Sequence, residues 1–206
     1  MIKINNLLRV YDMKPVLNNI DIEILDGEFV AITGKSGCGK TTLLNIIGLI
    51  DNKYSGTYYF ESIKNPNIMR KSGANILRNR IGFIFQNFAL IDNMTVKKNF
   101  KIVEKYNKSD ITIEKALQLV GLEDTINKKV YKLSGGEQQR IAIAKIMCKG
   151  CDVILADEPT GSLDSKNRDI VLDILEQMNR EGKTIIVVTH DQNVVKRASR
   201  EIKLGD

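Results

Sequence analysis

One segment constrains this chain more than any other. Glu28 to Thr33 (EFVAIT) is apolar and β-branched, the composition of a buried strand. It runs into Gly34-Lys35-Ser36-Gly37-Cys38-Gly39-Lys40-Thr41, which fits the spacing G-x-x-x-x-G-K-[ST], and a helix is expected to start near Lys40. Glycines at these positions let backbone N–H groups close around phosphate oxygens, and a helix N-terminus adds partial positive charge. Lys40 would then reach the β- and γ-phosphates of a nucleotide, the Thr41 hydroxyl would ligate Mg²⁺, and Thr42 would donate to a nearer phosphate. An ordinary glycine-rich turn is the plainer reading. It is set aside because strand, loop and helix are all present in the required order.

The rest of the chain supplies more strands of the same kind. Val153 to Ala156 (VILA) and Thr184 to Thr189 (TIIVVT) are continuous apolar runs, as in parallel strands covered on both faces. Between them Ile170, Val171, Ile174, Leu175 and Met178 recur with helical period, and Gly182 supplies a stop. Gly82 to Phe85 is a further strand candidate. Ile2 to Asn5 and Asn18 to Ile24 read as short strands about a turn at Asp12 to Pro15. From Thr95 to Gly150 the pattern is mostly helical, clearest over Ile111 to Val120 and Ser134 to Cys148. The expectation is an α/β fold with a mainly parallel sheet and right-handed crossovers, an N-terminal antiparallel β portion and an inserted helical subdomain.

Composition narrows the setting. No apolar run approaches the ~20 residues of a membrane-spanning helix, and Met1 to Val16 lacks the apolar core of a secretory signal. A soluble, cytoplasmic protein is expected. The three cysteines, an odd number, do not make a disulfide scaffold. Cys148-x-x-Cys151 lacks a second pair and the single histidine, His190, is distant, so all three are read as reduced thiols. The net charge of +6 is spread along the chain and is compatible with nucleic acid, anionic membrane or phosphorylated ligands.

Two further segments carry chemistry. Val153 to Ala156 ends in Asp157-Glu158, which would place Asp157 beside the loop's Mg²⁺ and Glu158 as the general base that activates water. Leu133-Ser134-Gly135-Gly136-Glu137-Gln138-Gln139-Arg140 opens a helix with the capping box S-x-x-E. The capping box accounts for Ser134 and Glu137 but not for two glycines in a first helical turn, each costing up to ~1 kcal/mol against Ala. A second phosphate approaching the backbone there is the expected reason.

GKSGCGKTT, LSGGEQQR and VILADEPTGSLD, in this order, resemble the nucleotide-binding domain of ATP-binding cassette (ABC) proteins, over essentially the whole chain from Tyr11 to His190. The resemblance implies a P-loop NTPase fold in one domain, 1–206, with 1–86 and 151–206 as the α/β core and 87–150 as the helical subdomain. It implies that ATP and Mg²⁺ are bound and ATP hydrolysed. Gly34, Lys35, Ser36, Gly37, Cys38, Gly39, Lys40, Thr41 and Thr42 would hold the phosphates, and Tyr11 would stack on adenine. Thr41, Gln86 and Asp157 would serve the metal. Glu158, His190, Gln86 and Lys40 would be catalytic, His190 through the γ-phosphate. Ser134, Gly135, Gly136, Glu137 and Asp164 would face the nucleotide of a second copy packed head to tail. Departures are modest: Thr41 for the commoner serine, Lys145 for arginine, Cys151 for proline.

IGFIFQNFALIDNMTVKKNF and ILADEPTGSLDS are most similar to the compact ATPase subunits of macrolide, lipoprotein-release and antimicrobial-peptide (bacteriocin) exporters. This implies a separate transmembrane permease, which would choose the substrate, and a peripheral place on the inner face of the cell membrane. The alternative is a non-transport cassette ATPase, of the cell-division signalling type or acting on nucleic acid or ribosomes; no nucleic acid is expected. Only 16 residues follow His190, so no appended regulatory domain is expected.

Overall fold

A computed structural model describes residues 1–104 and 109–205. The strand before the glycine-rich loop is β3 (Phe29–Gly34). It lies in a five-stranded sheet with β6 (Ile81–Ile84), β7 (Val153–Asp157), β8 (Thr184–Val188) and β9 (Arg200–Leu204), in the order β6-β7-β8-β3-β9. Every neighbouring pair is parallel. All five residues of β8 are buried, as its unbroken apolar run requires when both faces are covered.

Alternation along these strands sorts residues to two cores. Val30, Ile32, Val153, Leu155, Ile186 and Val188 point to one face, where α1 (Lys40–Ile47) contributes Leu43, Leu44, Ile46 and Ile47. Phe29, Ile154, Ala156, Ile185 and Val187 point to the other, against α5 (Gly135–Lys149) and α6 (Ser165–Arg180). α3 (Val96–Glu104) and α4 (Ile113–Leu119) fall with α5 between β6 and β7, and their apolar residues join this second core. The helical expectation over Thr95 to Gly150 therefore meets helices wherever it was clearest; residues 105–108 within it, and Asp206 at the end of the expected domain, lie outside the described residues.

The N-terminal hairpin is longer than the sequence suggests. β1 (Ile2–Tyr11) and β2 (Lys14–Ile24) pair antiparallel out to Tyr11 and Lys14, around Asp12 and Met13 with φ of 46° and 63°, the two left-handed residues of a tight hairpin turn. Strict alternation fails at Asn5-Asn6 because the register shifts between Ile4 and Leu7, which is why the strand reads as ending at Asn5. β4 (Ser55–Phe60) and β5 (Ile63–Lys64) complete the antiparallel sheet in the order β2-β1-β4-β5. Its fully buried Tyr58 donates its hydroxyl to the Ile47 carbonyl at 2.8 Å, tying this sheet to the end of α1. α2 (Lys71–Asn79) and α7 (Gln192–Arg197) are short and polar, and β9 is an edge strand with one buried residue. α7 and β9 have neither a sustained period nor an apolar run that marks an element in sequence. Among the described residues no helix is long and apolar enough to cross a membrane.

Candidate functional site

The parallel register brings the C-terminal ends of the strands level. Ile32 of β3 and Asp157 of β7 both pair with Val188, and Ala156 pairs with Ile84. The loop after β3, the acids after β7, Thr189-His190 after β8 and Gln86 after β6 therefore gather at one edge. This is where open α/β sheets present ligand sites.

The loop closes tightly on the hairpin. Gly39 has φ of 96°, and a Cβ there would stand 2.7 Å from Leu17 Cδ2 and 2.8 Å from the Val16 carbonyl oxygen. Gly39 is also the N-cap of α1, with no side-chain cap, and the first turn holds no acid. By contrast α4, α5, α6 and α7 are capped by Thr112, Ser134, Asp164 and Asp191. The first-turn N–H groups of α1, like those of α2, have no side-chain cap, and those of α1 directly follow the glycine-rich loop, where an external anion can reach them. They face a cleft of about 300 Å³ lined by Val16, Ser36, Gly37, Gly39, Lys40, Thr41, Thr42, Gln86, Asp157, Glu158 and Val188.

Inside the cleft the charged groups are already organised. Lys40 Nζ donates to the Gly34 and Lys35 carbonyls at 2.8 and 3.0 Å. The Thr41 hydroxyl donates to Asp157 Oδ1 at 3.3 Å. Burial pushes the Asp157 carboxyl above its ordinary value, the Glu158 charge adds to this, and the Thr41 hydroxyl and Lys40 oppose it. Glu158 has φ of 47°, unusual for a non-glycine residue, and its N–H donates to the Val188 carbonyl at 2.9 Å. Its Oε1 lies 2.8 Å from His190 Nδ1, and its Oε2 accepts from the Thr189 hydroxyl at 3.3 Å. The Glu158 side chain is 15% exposed and that of His190 74%, so a largely enclosed carboxylate is held by an open imidazole.

Other sequence-predicted residues lie outside this cleft. Tyr11, at the tip of β1, donates its hydroxyl to Asp51 at 2.8 Å, and the Arg9 guanidinium sits 3.8 Å from its ring centroid while bonding the same carboxylate at 2.7 Å. Lys35 and His190 line a neighbouring cavity with Gly34 and Lys203. Ser134 and Glu137 form the expected capping box at the start of α5. The Ser134 N–H and hydroxyl both donate to Glu137 Oε2, at 2.7 and 2.8 Å. Asp164 caps α6.

The two glycines after Ser134 need separate explanations, which corrects the expectation of one phosphate-driven reason for both. A Cβ on Gly136 would stand 2.4 Å from Asn167 Cγ, so its absence is demanded from within the chain. A Cβ on Gly135 would meet only Phe88 Cζ at 3.8 Å. Open space beside Gly135 leaves its backbone approachable from outside. Sequence reasoning also missed Thr189, Asn167 and the Arg9–Asp51 pair. The Asp164-x-x-Asn167 spacing was the one legible signal, since a cap bonds the residue three positions on. Cys148 and Cys151 are buried free thiols, both pushed up to about 11 by burial, and the described residues hold no cluster of three or more potential metal ligands from His, Cys, Asp and Glu.

Known proteins give this geometry its family. A family model described as ABC transporter matches residues 17–161. The uncharacterized ABC transporter ATP-binding protein MJ1508 of Methanocaldococcus jannaschii is 41% identical over 215 residues, spanning 100% of this chain and 96% of its own length. The macrolide export ATP-binding/permease protein MacB of Campylobacter jejuni is 40% identical over 211 residues; 100% of this chain is matched but 33% of MacB, so the chain spans about a third of that relative. Among solved structures, the dimeric post-hydrolysis state of the ATP-binding cassette MJ0796, also of M. jannaschii, bound to ADP and Pi, matches with a TM-score of 0.87 at 38% identity, covering 99% of this chain and 94% of that one. With a P-loop α/β core, a phosphate loop and the matched sequence in one chain, the protein belongs to the ABC transporter family, as its ATP-binding cassette, an ATPase domain.

Proposed function

We propose that this cassette powers export or extraction of a peptide, lipoprotein or drug through a separate membrane permease, by ATP-driven pairing of two copies. The observation that carries the catalytic half of this reading is the cleft in which Lys40, Thr41, Gln86, Asp157 and Glu158 converge from different strand ends. Residues 34–42 would wrap the phosphates, and Lys40 would exchange its two loop carbonyls for β- and γ-phosphate oxygens. The donor set fits Mg²⁺: the Thr41 hydroxyl, the Asp157 carboxylate 3.3 Å from it and the Gln86 amide oxygen are hard donors, few enough to leave positions for phosphate and water. Bound there, the ion would supply charge neutralisation on the phosphates. Glu158 would take the proton of the attacking water, its carboxylate oriented by Thr189 and His190. His190 would also contact the γ-phosphate. Tyr11, carrying Arg9 on one face, would offer its other face to adenine.

Ser134, Gly135, Gly136, Glu137 and Asp164 would complete the site of a second copy, with Gly135 open to a phosphate. The dimeric state of the related cassette supports pairing of two copies, which here would pack head to tail. Residues 87–150 would act as a helical subdomain on the 1–86 and 151–206 core. A second, more apolar cavity of about 560 Å³, lined by Leu77, Phe83, Phe85, Phe88 and Ile102 among others, stands beside the segment that follows Gln86 and would receive the permease, holding the cassette at the inner face of the membrane.

Two experiments test this reading. Glu158→Gln should keep ATP binding, lower turnover on the order of 10²–10⁴-fold, and sediment as a dimer with Mg²⁺-ATP; an unchanged turnover rate removes Glu158 from its role. Affinity copurification from detergent-solubilised native membranes should recover a multi-span membrane protein. Recovery of ribosomes, nucleic acid or only soluble proteins would replace the transport reading and leave the ATPase chemistry standing.

A further inference from the structure

Two loops outside the phosphate cleft, the Ser134 turn and the segment ending at Asp164, are joined by one side chain. Asn167 lies in the first turn of α6. Its backbone N–H donates to Asp164 Oδ1 at 2.8 Å and its Nδ2 donates to Asp164 Oδ2 at 2.7 Å. Its Oδ1 accepts from Arg140 Nη1 of α5 at 2.7 Å. Both oxygens of Asp164 and both ends of the Asn167 carboxamide are therefore used. Arg140 Nε is buried with no partner among the described residues, which leaves the contact to Asn167 as the hydrogen bond that holds the guanidinium.

The fit on α5 is equally close. The space where Gly136 would carry a Cβ is filled by the Asn167 carboxamide, 2.4 Å from Cγ and 2.5 Å from Oδ1. A simple helix cap needs only the backbone N–H of Asn167 on Asp164. It needs neither the bridge to Arg140 nor a glycine cut to match. Ser134, Gly135 and Asp164 are themselves exposed, so the bridge ties together two surface elements rather than parts of the core.

We propose that Asn167 is a positioning residue that makes the Ser134-Gly135-Gly136 turn and the Asp164 loop one rigid unit, and so transmits nucleotide occupancy from one ATP site to the other. This rests on the head-to-tail pairing above. In that pairing, a nucleotide seated against the turn pulls on α5, Arg140 carries the displacement to Asn167, and Asn167 moves Asp164 within the interface. Asn167 itself touches neither nucleotide nor metal.

The test compares the parent with Asn167→Ala and Asn167→Asp; the second keeps an acceptor for Arg140 but sets a carboxylate against Asp164. Three readouts are needed: affinity of the monomer for a fluorescent ATP analogue, the Hill coefficient of ATPase activity against ATP, and ATP-dependent dimerisation in the Glu158→Gln background by sedimentation velocity. Both variants should bind nucleotide as monomers within twofold of the parent. Their Hill coefficient should fall from above 1 to about 1, and dimerisation should weaken about tenfold, the scale of a modest coupling between sites. A Hill coefficient and dimerisation equal to the parent's overturn the proposal, and so does a loss of monomer affinity as large as the loss of dimerisation. If Asn167→Ala does not fold, Asn167→Asp carries the same comparison. If Glu158→Gln itself fails to dimerise with ATP, the pairing and this proposal fall together; if it dimerises and only the Asn167 variants behave like the parent, this proposal alone falls.

Discussion

Gly136→Ala is the most demanding test of the packing at the head of α5. Alanine in a helix interior gains roughly 0.5–1 kcal/mol over glycine, so propensity alone predicts stabilisation. The new methyl would stand 2.4 Å from Asn167 Cγ, 2.5 Å from its Oδ1 and 2.9 Å from its Cβ, and Asn167 must leave. Leaving breaks the 2.7 Å bond from Arg140, a half-buried contact with a charged donor and worth roughly 1.5–3 kcal/mol. The exposed contact with Asp164 is not counted. The net is a loss of about 0.5–2.5 kcal/mol, which lowers Tm by roughly 1–10 °C in a chain of this length. Gly135→Ala is the matched control, because its methyl meets only Phe88 Cζ at ordinary van der Waals distance. Thermal melts of nucleotide-free protein, followed by far-ultraviolet circular dichroism, should separate the two variants. A Gly136→Ala melt at or above the parent's, or an equal fall in Gly135→Ala, would refute the reasoning.

Other expectations follow from the same geometry. Glu137 is held below its ordinary value first by the Ser134 backbone N–H, with burial opposing and the Ser134 hydroxyl assisting. A depressed carboxyl stabilises the fold above its unfolded value near 4.5 and loses that contribution as pH falls through the folded value; urea titrations from pH 7 to 3.5 should show this component in the parent and not in Glu137→Gln. Asp157 is shifted the other way, mainly by burial, so its charge costs stability at neutral pH. Asp157→Asn should raise the Tm of nucleotide-free protein and abolish the extra stabilisation by Mg²⁺-ATP; retention of that stabilisation would clear Asp157 of metal binding. Arg9→Ala removes the cation stacked on Tyr11 and the tie to Asp51. The KM for ATP should rise roughly fivefold with kcat within twofold, and an unchanged KM would detach Tyr11 from the base.

Legibility in the sequence followed the range of the chemistry. The phosphate loop, the start of α1 near Lys40 and the capping box at Ser134 are relations within eight residues, and each was readable. β7 and β8 were readable because burial on both faces leaves an unbroken apolar run. β9 was not, because an edge strand reading Arg200-Glu201-Ile202-Lys203-Leu204 alternates weakly and owes its place to pairing with β3. The hairpin was cut short at Asn5 because a register shift hides the continuation. The paired glycines misled for a related reason: nothing local distinguishes Gly136, which yields to a neighbour 31 residues on, from Gly135, which yields to nothing inside the chain.

From adjacent residues alone the chain specifies a phosphate-binding strand, loop and helix, two acids at a strand tip and the capping box at Ser134, since backbone sterics and local hydrogen bonding act over a few positions. Which distant groups meet was decided by tertiary structure. Thr41 reaches Asp157 across 116 positions, Glu158 reaches His190 across 32, and Arg140 reaches Asn167 across 27. Those encounters depend on strand order, on parallel register and on the way α5 settles against α6. Side chains that look interchangeable along the chain become partners only when the sheet sets their strand ends level and burial fixes which face each one takes.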